Sequence, residues 1–291
     1  MIGCALKQGD RVRFLEARAV SEAVASMCVE ACTRPSEGLR ALLVKAMSAS
    51  PMGPGRSALD LCLRNLDETV STGLPICQDT GIAVVFAERG NRLVIEGGSL
   101  REAVDRGVEK GYREGRLRNS LVNDPLNRTP LPVNSPAIIH LSEVPGDSLT
   151  LELLVKGAGS ENASASAMLP PLAGEDGITC FVRDAVLAKA ACACPPLFLG
   201  VGLGGNQEMC GILSKKALLR PFGTPGETPA QKRLEERILA AVNETGIGPQ
   251  GFGGPVTALE VRVELAPCHM ASLPVAVCIE CHAHRTARRV L

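Results

Sequence analysis

Residues 149–162 read LTLELLVKGAGSEN. Leu149–Lys156 is leucine-rich and partly alternating, as a half-buried strand should be, and the glycines behind it interrupt that pattern. This strand decides the fold class, because what precedes it is largely helical. From Glu16 to Thr33 apolar residues recur at helical spacing (Ala19, Val20, Ala23, Val24, Met27, Cys28), and similar patterns run through Leu39–Ala49, Ser57–Val70 and Leu100–Tyr112. Ser57 and Asp60 resemble a capping box and could open the third of these helices, behind the turn-rich Ser50–Gly55. Further β-like runs occur at Ile82–Ala87, Arg92–Ile95 and Ala137–Leu141. Beyond the quoted stretch, Asp176–Ala191 and Thr228–Asn243 return to helical spacing, the second entered through Thr228-Pro229, and Val256–Leu265 and Leu273–Glu280 read as strands. The interleaving predicts a mixed α/β fold, with a helical N-terminal third and a mixed sheet carrying the loops described below. With no internal repeat and no low-complexity linker, 1–291 is expected to form a single compact domain.

Composition narrows the function classes. Of the residues, 45% are hydrophobic, which calls for a packed body rather than disorder. Lys+Arg and Asp+Glu are balanced at 31 each, so there is no electrostatic footprint for nucleic acid or an anionic membrane. Tyr112 is the only tyrosine and Trp is absent, which leaves few stacking platforms for single strands. No apolar run reaches membrane-spanning length, and MIGCALKQGDRVRF at the N-terminus is too charged for a signal peptide, so a cytoplasmic location is expected. In that compartment 12 cysteines are unusual, because disulfides are disfavoured there. Most would serve as small buried hydrophobes, as Cys28 and Cys32 do in an apolar helical pattern, and others are open to metal ligation.

Four stretches are odd for ordinary packing. Leu74–Gly81 places Cys77 among Pro75, Gln78, Asp79 and Thr80, in a loop dense with hydrogen-bonding groups. In Lys156–Asn162, glycines such as Gly157 and Gly159 let backbone approach a ligand, and the N–H groups could cradle an anion. Cys194–Asn206 contains the run Gly200, Gly202, Gly204, Gly205, superficially like a dinucleotide loop. No helix is evident behind it and no acidic residue follows at the usual distance, so that reading is rejected. Gly246–Gly254 is a further permissive loop, leading to Pro267-Cys268-His269 and on to Cys281-His282-Ala283-His284-Arg285.

Zinc is one reading of Cys278-x-x-Cys281 with His282 and His284, and it would make the chain a zinc-stabilised interaction module. A structural zinc site wants a second ligand pair at matching separation; Cys192-x-Cys194 is too tight, and Cys278 lies in an apolar run. Widely separated loop cysteines suit an iron–sulfur cluster better, since soft thiolates match iron and the fold can gather them. Three protein thiolates would leave one iron open as a Lewis acid, which separates a catalyst from an electron carrier.

The stretches PICQDTG (75–81), KGAGSEN (156–162), CPPLFLGVGLGGN (194–206), GIGPQGFGGPVTALEV (246–261) and PCHMASLPVAVCIECHAHR (267–285) resemble the class I, iron–sulfur fumarase family. More narrowly they resemble its N-terminal domain, or the separate α subunit of two-subunit fumarases and L-tartrate dehydratases. The likeness runs from about Ala41 to Arg285. It implies a [4Fe–4S] cluster held by Cys77, Cys194 and Cys281 in a hydro-lyase acting on a four-carbon hydroxy-dicarboxylate. Malate/fumarate is the first expectation and tartrate/oxaloacetate the alternative. It also implies that Gln78, Arg118 (in Leu117-Arg118-Asn119-Ser120), Gly157, Gly159 and His269 contact substrate. Arg118 would grip a carboxylate bidentately, and Asp79 would protonate the leaving hydroxyl.

Two points depart from the family pattern. Where the family tends to have glycine before Cys-Pro-Pro, this chain reads Ala190-Ala191-Cys192-Ala193, which makes Cys192 a rival ligand to Cys194. The sequence given ends at Leu291, before any counterpart of the family's C-terminal portion, which supplies the base for the carbon-bound proton. The resemblance therefore implies a β-subunit partner in a hetero-oligomer, on an α2β2-like plan, with the chain inactive alone. Against these stand blander readings: an Asx turn for Asp79, a solvated helix-end charge for Arg118, a core histidine for His269, surface positions or supporting roles behind the site for His282 and His284, and a scaffold subunit that has lost its cluster.

Overall fold

A computed structural model describes residues 12–291. Cys4 and the bulk of the N-terminal stretch read above fall outside the described residues. The chain begins with β1 (Arg13–Glu16), α1 (Ala17–Thr33), α2 (Glu37–Ala49) and α3 (Pro54–Thr72). Next come β2 (Ile82–Gly90), β3 (Leu93–Glu96), α4 (Leu100–Glu114), β4 (Ile138–Val144) and β5 (Leu149–Lys156). A short α5 (Ala158–Ala163), β6 (Ala165–Leu169), α6 (Gly174–Lys189), β7 (Leu197–Gly205), α7 (Gln207–Ala217) and α8 (Pro229–Asn243) follow. The chain closes with β8 (Ala258–Cys268), β9 (Leu273–Glu280) and β10 (Thr286–Val290). The mixed α/β expectation holds. By internal contacts the described residues fall into two compact units: 12–32, 78–155 and 285–291 make one, and 33–77 with 156–284 make the other.

The first unit is built on a sheet of order β10-β5-β2-β4, with β10 antiparallel to β5 and β2 parallel to β4. Its core gathers Val20, Val24, Met27 and Cys28 of α1, Val104 and Val108 of α4, and Val85, Leu151 and Leu153 of the sheet. Helix α4 opens on a capping box, Ser99 accepting from Glu102 N while the Glu102 carboxylate takes Ser99 N. A Cβ on Gly107 of this helix would lie 2.7 Å from the Ser21 carbonyl oxygen, so that residue must be glycine for α1 to approach.

The second unit holds a sheet of order β6-β9-β7-β8, where β9 is antiparallel to both β6 and β7 and β8 is parallel to β7. Its core joins Val182 and Val186 of α6, Ile238 and Val242 of α8, and Leu199, Val201, Val263, Val277 and Ile279 of the strands. Helix α8 opens on the expected Thr228-Pro229, with Thr228 and Gln231 forming a capping box. The opening expected at Ser57 is not observed. Helix α3 starts one turn earlier, with Gly53 at the cap and Pro54 in the first turn, where a missing N–H costs nothing.

The glycine run after Cys194 is a strand, not a loop. Strand β7 carries Gly200 and Gly202 inside it, and α7 does open behind it, capped by Asn206 accepting from Met209 N. The premise that no helix follows was mistaken, yet these glycines still leave no room for a phosphate. A Cβ at Gly200 or Gly202 would stand 2.0 Å from the carbonyl oxygens of Ser214 or Cys210. They exist so that α7 can lie directly on the strand. Among the described residues, no helix is long and apolar enough to cross a membrane.

Candidate functional site

In the second unit three thiols converge on one sheet edge. Cys194 follows a 3₁₀ turn at Ala190–Ala193 and precedes β7, and Cys281 follows β9 directly. Because β9 runs antiparallel to β7, with Phe198 opposite Glu280, the start of one strand and the end of the other share an edge. The backbone carbonyl of Cys194 accepts from His282 N at 3.4 Å and lies 3.0 Å from His282 Nδ1. Gln250, in the loop before β8, donates its own N–H and its side-chain Nε2 to the Pro195 carbonyl at 2.7 and 2.8 Å. Cys194 itself sits in the left-handed region at φ 53°, a strained choice for a non-glycine residue that these bonds hold in place.

Cys77 lies in the bend between α3 and β2, where Asn65 of α3 donates to the Ile76 carbonyl at 2.8 Å. Burial pushes the Cys194 thiol up, and the neighbouring Cys77 and Cys192 sulfurs push it further, which places Cys77 and Cys192 within electrostatic reach of Cys194. A further thiol that sequence reading missed, Cys62 on α3, is buried close by and is pushed up to about 11 by burial, with Cys194 adding to it. Its position in an apolar helical stripe gave no signal. Beside this edge opens a cleft of about 700 Å³, lined by Leu61, Cys62, Asn65, Gln250, Phe252 and His282 among others.

Behind Cys281 stands a buried charge pair. The Cys281 sulfur lies 3.6 Å from Glu280 Oε1, and Glu280 Oε2 lies 3.2 Å from Lys156 Nζ. Lys156 also donates to Ser160 Oγ at 2.5 Å, and Lys215 reaches both Glu161 oxygens at 2.6 Å. Burial acts to lower the Lys156 ammonium, but Glu280, the Cys278 sulfur and Glu161 outweigh it and hold it above its ordinary value.

The donor set bears differently on the two metal readings. Among the described residues, no group of three His, Cys, Asp or Glu side chains can hold a single metal ion. Two of the four residues of the zinc reading, Cys278 and His284, have other roles. Cys278 is buried inside β9, 3.8 Å from both Ser164 Oγ and Lys215 Nζ. His284 is buried rather than at the surface, the first of the two positions expected of it: its Nε2 lies 2.9 Å from the Leu218 carbonyl and its ring packs against Phe198 and Phe222. A polynuclear cluster needs its thiolates gathered around it but less tightly than a single ion does, because they bind different irons. Cys194 is exposed and Cys77 and Cys281 are half-buried, so the residues present fit a cluster that substrate could reach.

The KGAGSEN segment is a short helix rather than the open loop expected. Gly157 caps α5, Glu161 N returns to the Gly157 carbonyl, and a Cβ on Gly159 would meet the Cys192 carbonyl at 3.2 Å. Gly159 thus packs against the turn that presents Cys194. His269 is not brought to the cysteine edge. It is exposed in the connection from β8 to β9, its Nδ1 accepting from Ala271 N at 3.1 Å, at the far end of an eight-residue strand from Cys281. At about 3.3 Å per residue that strand spans roughly 26 Å.

Gln78, Asp79 and Arg118 belong to the first unit. Asp79 Oδ1 accepts from Gly81 N at 3.1 Å, the Asx turn that its neighbours allow, and this bond aims the carboxylate. Gln78 and Arg118 are exposed, and the Arg118 carbonyl accepts from Thr80 Oγ1 at 2.9 Å.

The chain is mixed α/β; its second unit gathers cysteines at one sheet edge, and its first unit carries an oriented acid and an exposed arginine. Residues 21–290 match the fumarate hydratase (Fumerase) family, and the chain belongs to it. It is accordingly a hydro-lyase polypeptide. It is 36% identical over 274 residues to a protein of Methanocaldococcus jannaschii provisionally named L(+)-tartrate dehydratase subunit alpha, covering 92% of this chain and 96% of that one. It is 30% identical over 269 residues to the L(+)-tartrate dehydratase subunit alpha of Escherichia coli strain UTI89, covering 91% and 88%.

Proposed function

We propose that this chain is the cluster-bearing subunit of a hydro-lyase that, with a β-type partner polypeptide, removes water from a four-carbon hydroxy-dicarboxylate. The observation that carries it is the meeting of Cys77, Cys194 and Cys281 at one sheet edge of a fumarate hydratase family member. The family resemblance alone puts malate and fumarate first. Both relatives compared carry a tartrate name, and that moves L(+)-tartrate to oxaloacetate ahead as the substrate, with malate second.

Cys77, Cys194 and Cys281 would hold the [4Fe–4S] cluster, which when bound supplies an open iron as a Lewis acid toward a substrate oxygen. Arg118, whose planar fork matches a carboxylate, would bind one end of the dicarboxylate, and Gln78 would contribute a further hydrogen bond. Asp79, its carboxyl aimed by the Gly81 N–H, would give a proton to the departing hydroxyl. The base for the carbon-bound proton would come from the partner. His269 can serve this site only from a neighbouring chain, given its distance from Cys281.

Anaerobic purification tests the cluster: the protein should be brown, with a broad visible absorbance shoulder and bound iron. Assembly with the partner and parallel assay of both tartrate enantiomers, malate and fumarate tests the substrate class. Colourless, iron-free protein made without air, or no turnover of any of these acids by the assembled enzyme, would sink the proposal. The first of these results would also favour a scaffold subunit that has lost its cluster.

A further inference from the structure

In the first unit, three consecutive carbonyls of the Asp79 turn are each taken by a buried side chain. Arg285 donates to the Asp79 carbonyl. Tyr112 Oη lies 2.6 Å from the Thr80 carbonyl and 3.0 Å from that of Gly81, and Asn134 Nδ2 donates to Gly81 O at 2.9 Å. Two of the same residues reach the Arg118 segment: Thr80 Oγ1 donates to the Arg118 carbonyl at 2.9 Å, and Asn134 Oδ1 accepts from Ser120 N at 2.7 Å. Thr80, Tyr112, Asn134 and Arg285 are all at most 1% exposed.

Buried polar side chains need partners, but they can find them anywhere in a sheet protein. Here each of them bonds the backbone of at least one of two irregular segments, and Asn134 and Thr80 each bond both segments or belong to one and bond the other. These segments carry Asp79 and Arg118, which makes the arrangement more specific than ordinary loop satisfaction. We propose that Thr80, Tyr112 and Asn134 are positioning residues, which lock the Asp79 turn to the Arg118 segment and present the acid and the guanidinium as a fixed pair to one dicarboxylate. The proposal rests on the roles assigned to Asp79 and Arg118 above.

Thr80→Val is isosteric and deletes only the bond to Arg118, Thr80→Ser restores it, and Tyr112→Phe removes one donor from the turn. In the iron-loaded enzyme assembled with its partner, Thr80→Val should raise KM for L(+)-tartrate about tenfold, the scale of one lost hydrogen bond, with kcat changed far less. Iron content should stay parental, Thr80→Ser should recover the parental KM, and Tyr112→Phe should raise KM in the same direction. Amide hydrogen exchange across Arg118–Leu121 should quicken in Thr80→Val. Parental KM and parental exchange in Thr80→Val overturn the proposal, as does a Thr80→Ser variant as impaired as Thr80→Val. If the parent enzyme turns over none of the acids, the functional reading falls instead, and exchange at Arg118–Leu121 still decides whether the two segments are coupled.

Discussion

Two neighbouring cysteines show what single residues reveal and conceal. Cys192 and Cys194 are both exposed, and sequence alone leaves them rivals. Cys194 is the one whose backbone is forced to φ 53° and whose carbonyl is held by His282, an arrangement that makes sense only if its side chain must point somewhere definite. Cys194→Ser should therefore strip the iron from anaerobically prepared protein, whereas Cys192→Ser should keep it; iron analysis and the visible spectrum decide. The thiols were legible because loops rich in Pro, Gly and polar residues are poor places to bury a mere hydrophobe. What held them was not legible. Gln250 hides in a glycine-rich loop, and His284 looks like a surface group until Phe198 and Phe222 close over it. Lys156 stands out in sequence only as the head of KGAGSEN and Glu280 not at all, yet they are only 2% and 0% exposed at the side chain. Lys156→Met would leave Glu280 buried and uncompensated, and should cost about 3–5 kcal/mol in denaturant unfolding, much of it recovered by adding Glu280→Leu. Since the folded Lys156 ammonium lies above its ordinary 10.5, the pair's contribution is complete through neutral pH and fades only as pH climbs past that alkaline value.

Elements were legible where one periodicity dominated. The patterns in α1, α4 and α8 appear in the sequence because each helix has an apolar stripe and a polar face, and Thr228-Pro229 marks its own cap. Strand β7 was hidden for a physical reason: its Gly200 and Gly202 trade side chains for contact with α7, so the strand has neither alternation nor β-branched bulk at those positions. The same element gives a paired prediction. Gly202→Ala would thrust a methyl to 2.0 Å from the Cys210 carbonyl, which backbone cannot evade, and should lower stability by about 1–3 kcal/mol or more. Gly211, within α7, has nothing within 4 Å of a built Cβ, and Gly211→Ala should stabilise by up to about 1 kcal/mol through helix propensity. Urea unfolding of both variants measures the contrast; equal effects would mean that α7 does not rest on β7 as described.

At the scale of the whole chain, the two units are interleaved along the sequence, with changes of unit after Cys32, Cys77, Val155 and His284. No linker marks any of them: one falls within α1 and another within β5, so composition carries no trace of the division. The last seven residues, 285–291, return to the first unit, where β10 lines the edge of β5 in register from Thr286 opposite Leu154 to Val290 opposite Thr150. Leu149 and Leu291 exchange backbone hydrogen bonds at 3.0 and 2.9 Å, and Ala287 joins the core. Truncation after Arg285 would spare every proposed ligand and substrate contact, yet it would bare the backbone of LTLELLVK along one side. A leucine-rich strand with an unpaired edge is a template for association between chains. The truncated protein should bind iron during anaerobic synthesis but lose soluble yield and thermal stability, and aggregate in proportion to its concentration. Light scattering and thermal unfolding at several concentrations test this. A truncated chain as soluble and stable as the parent would mean that β10 does not guard the edge, and that the return of the chain to the first unit serves only to place Arg285 beneath the Asp79 turn.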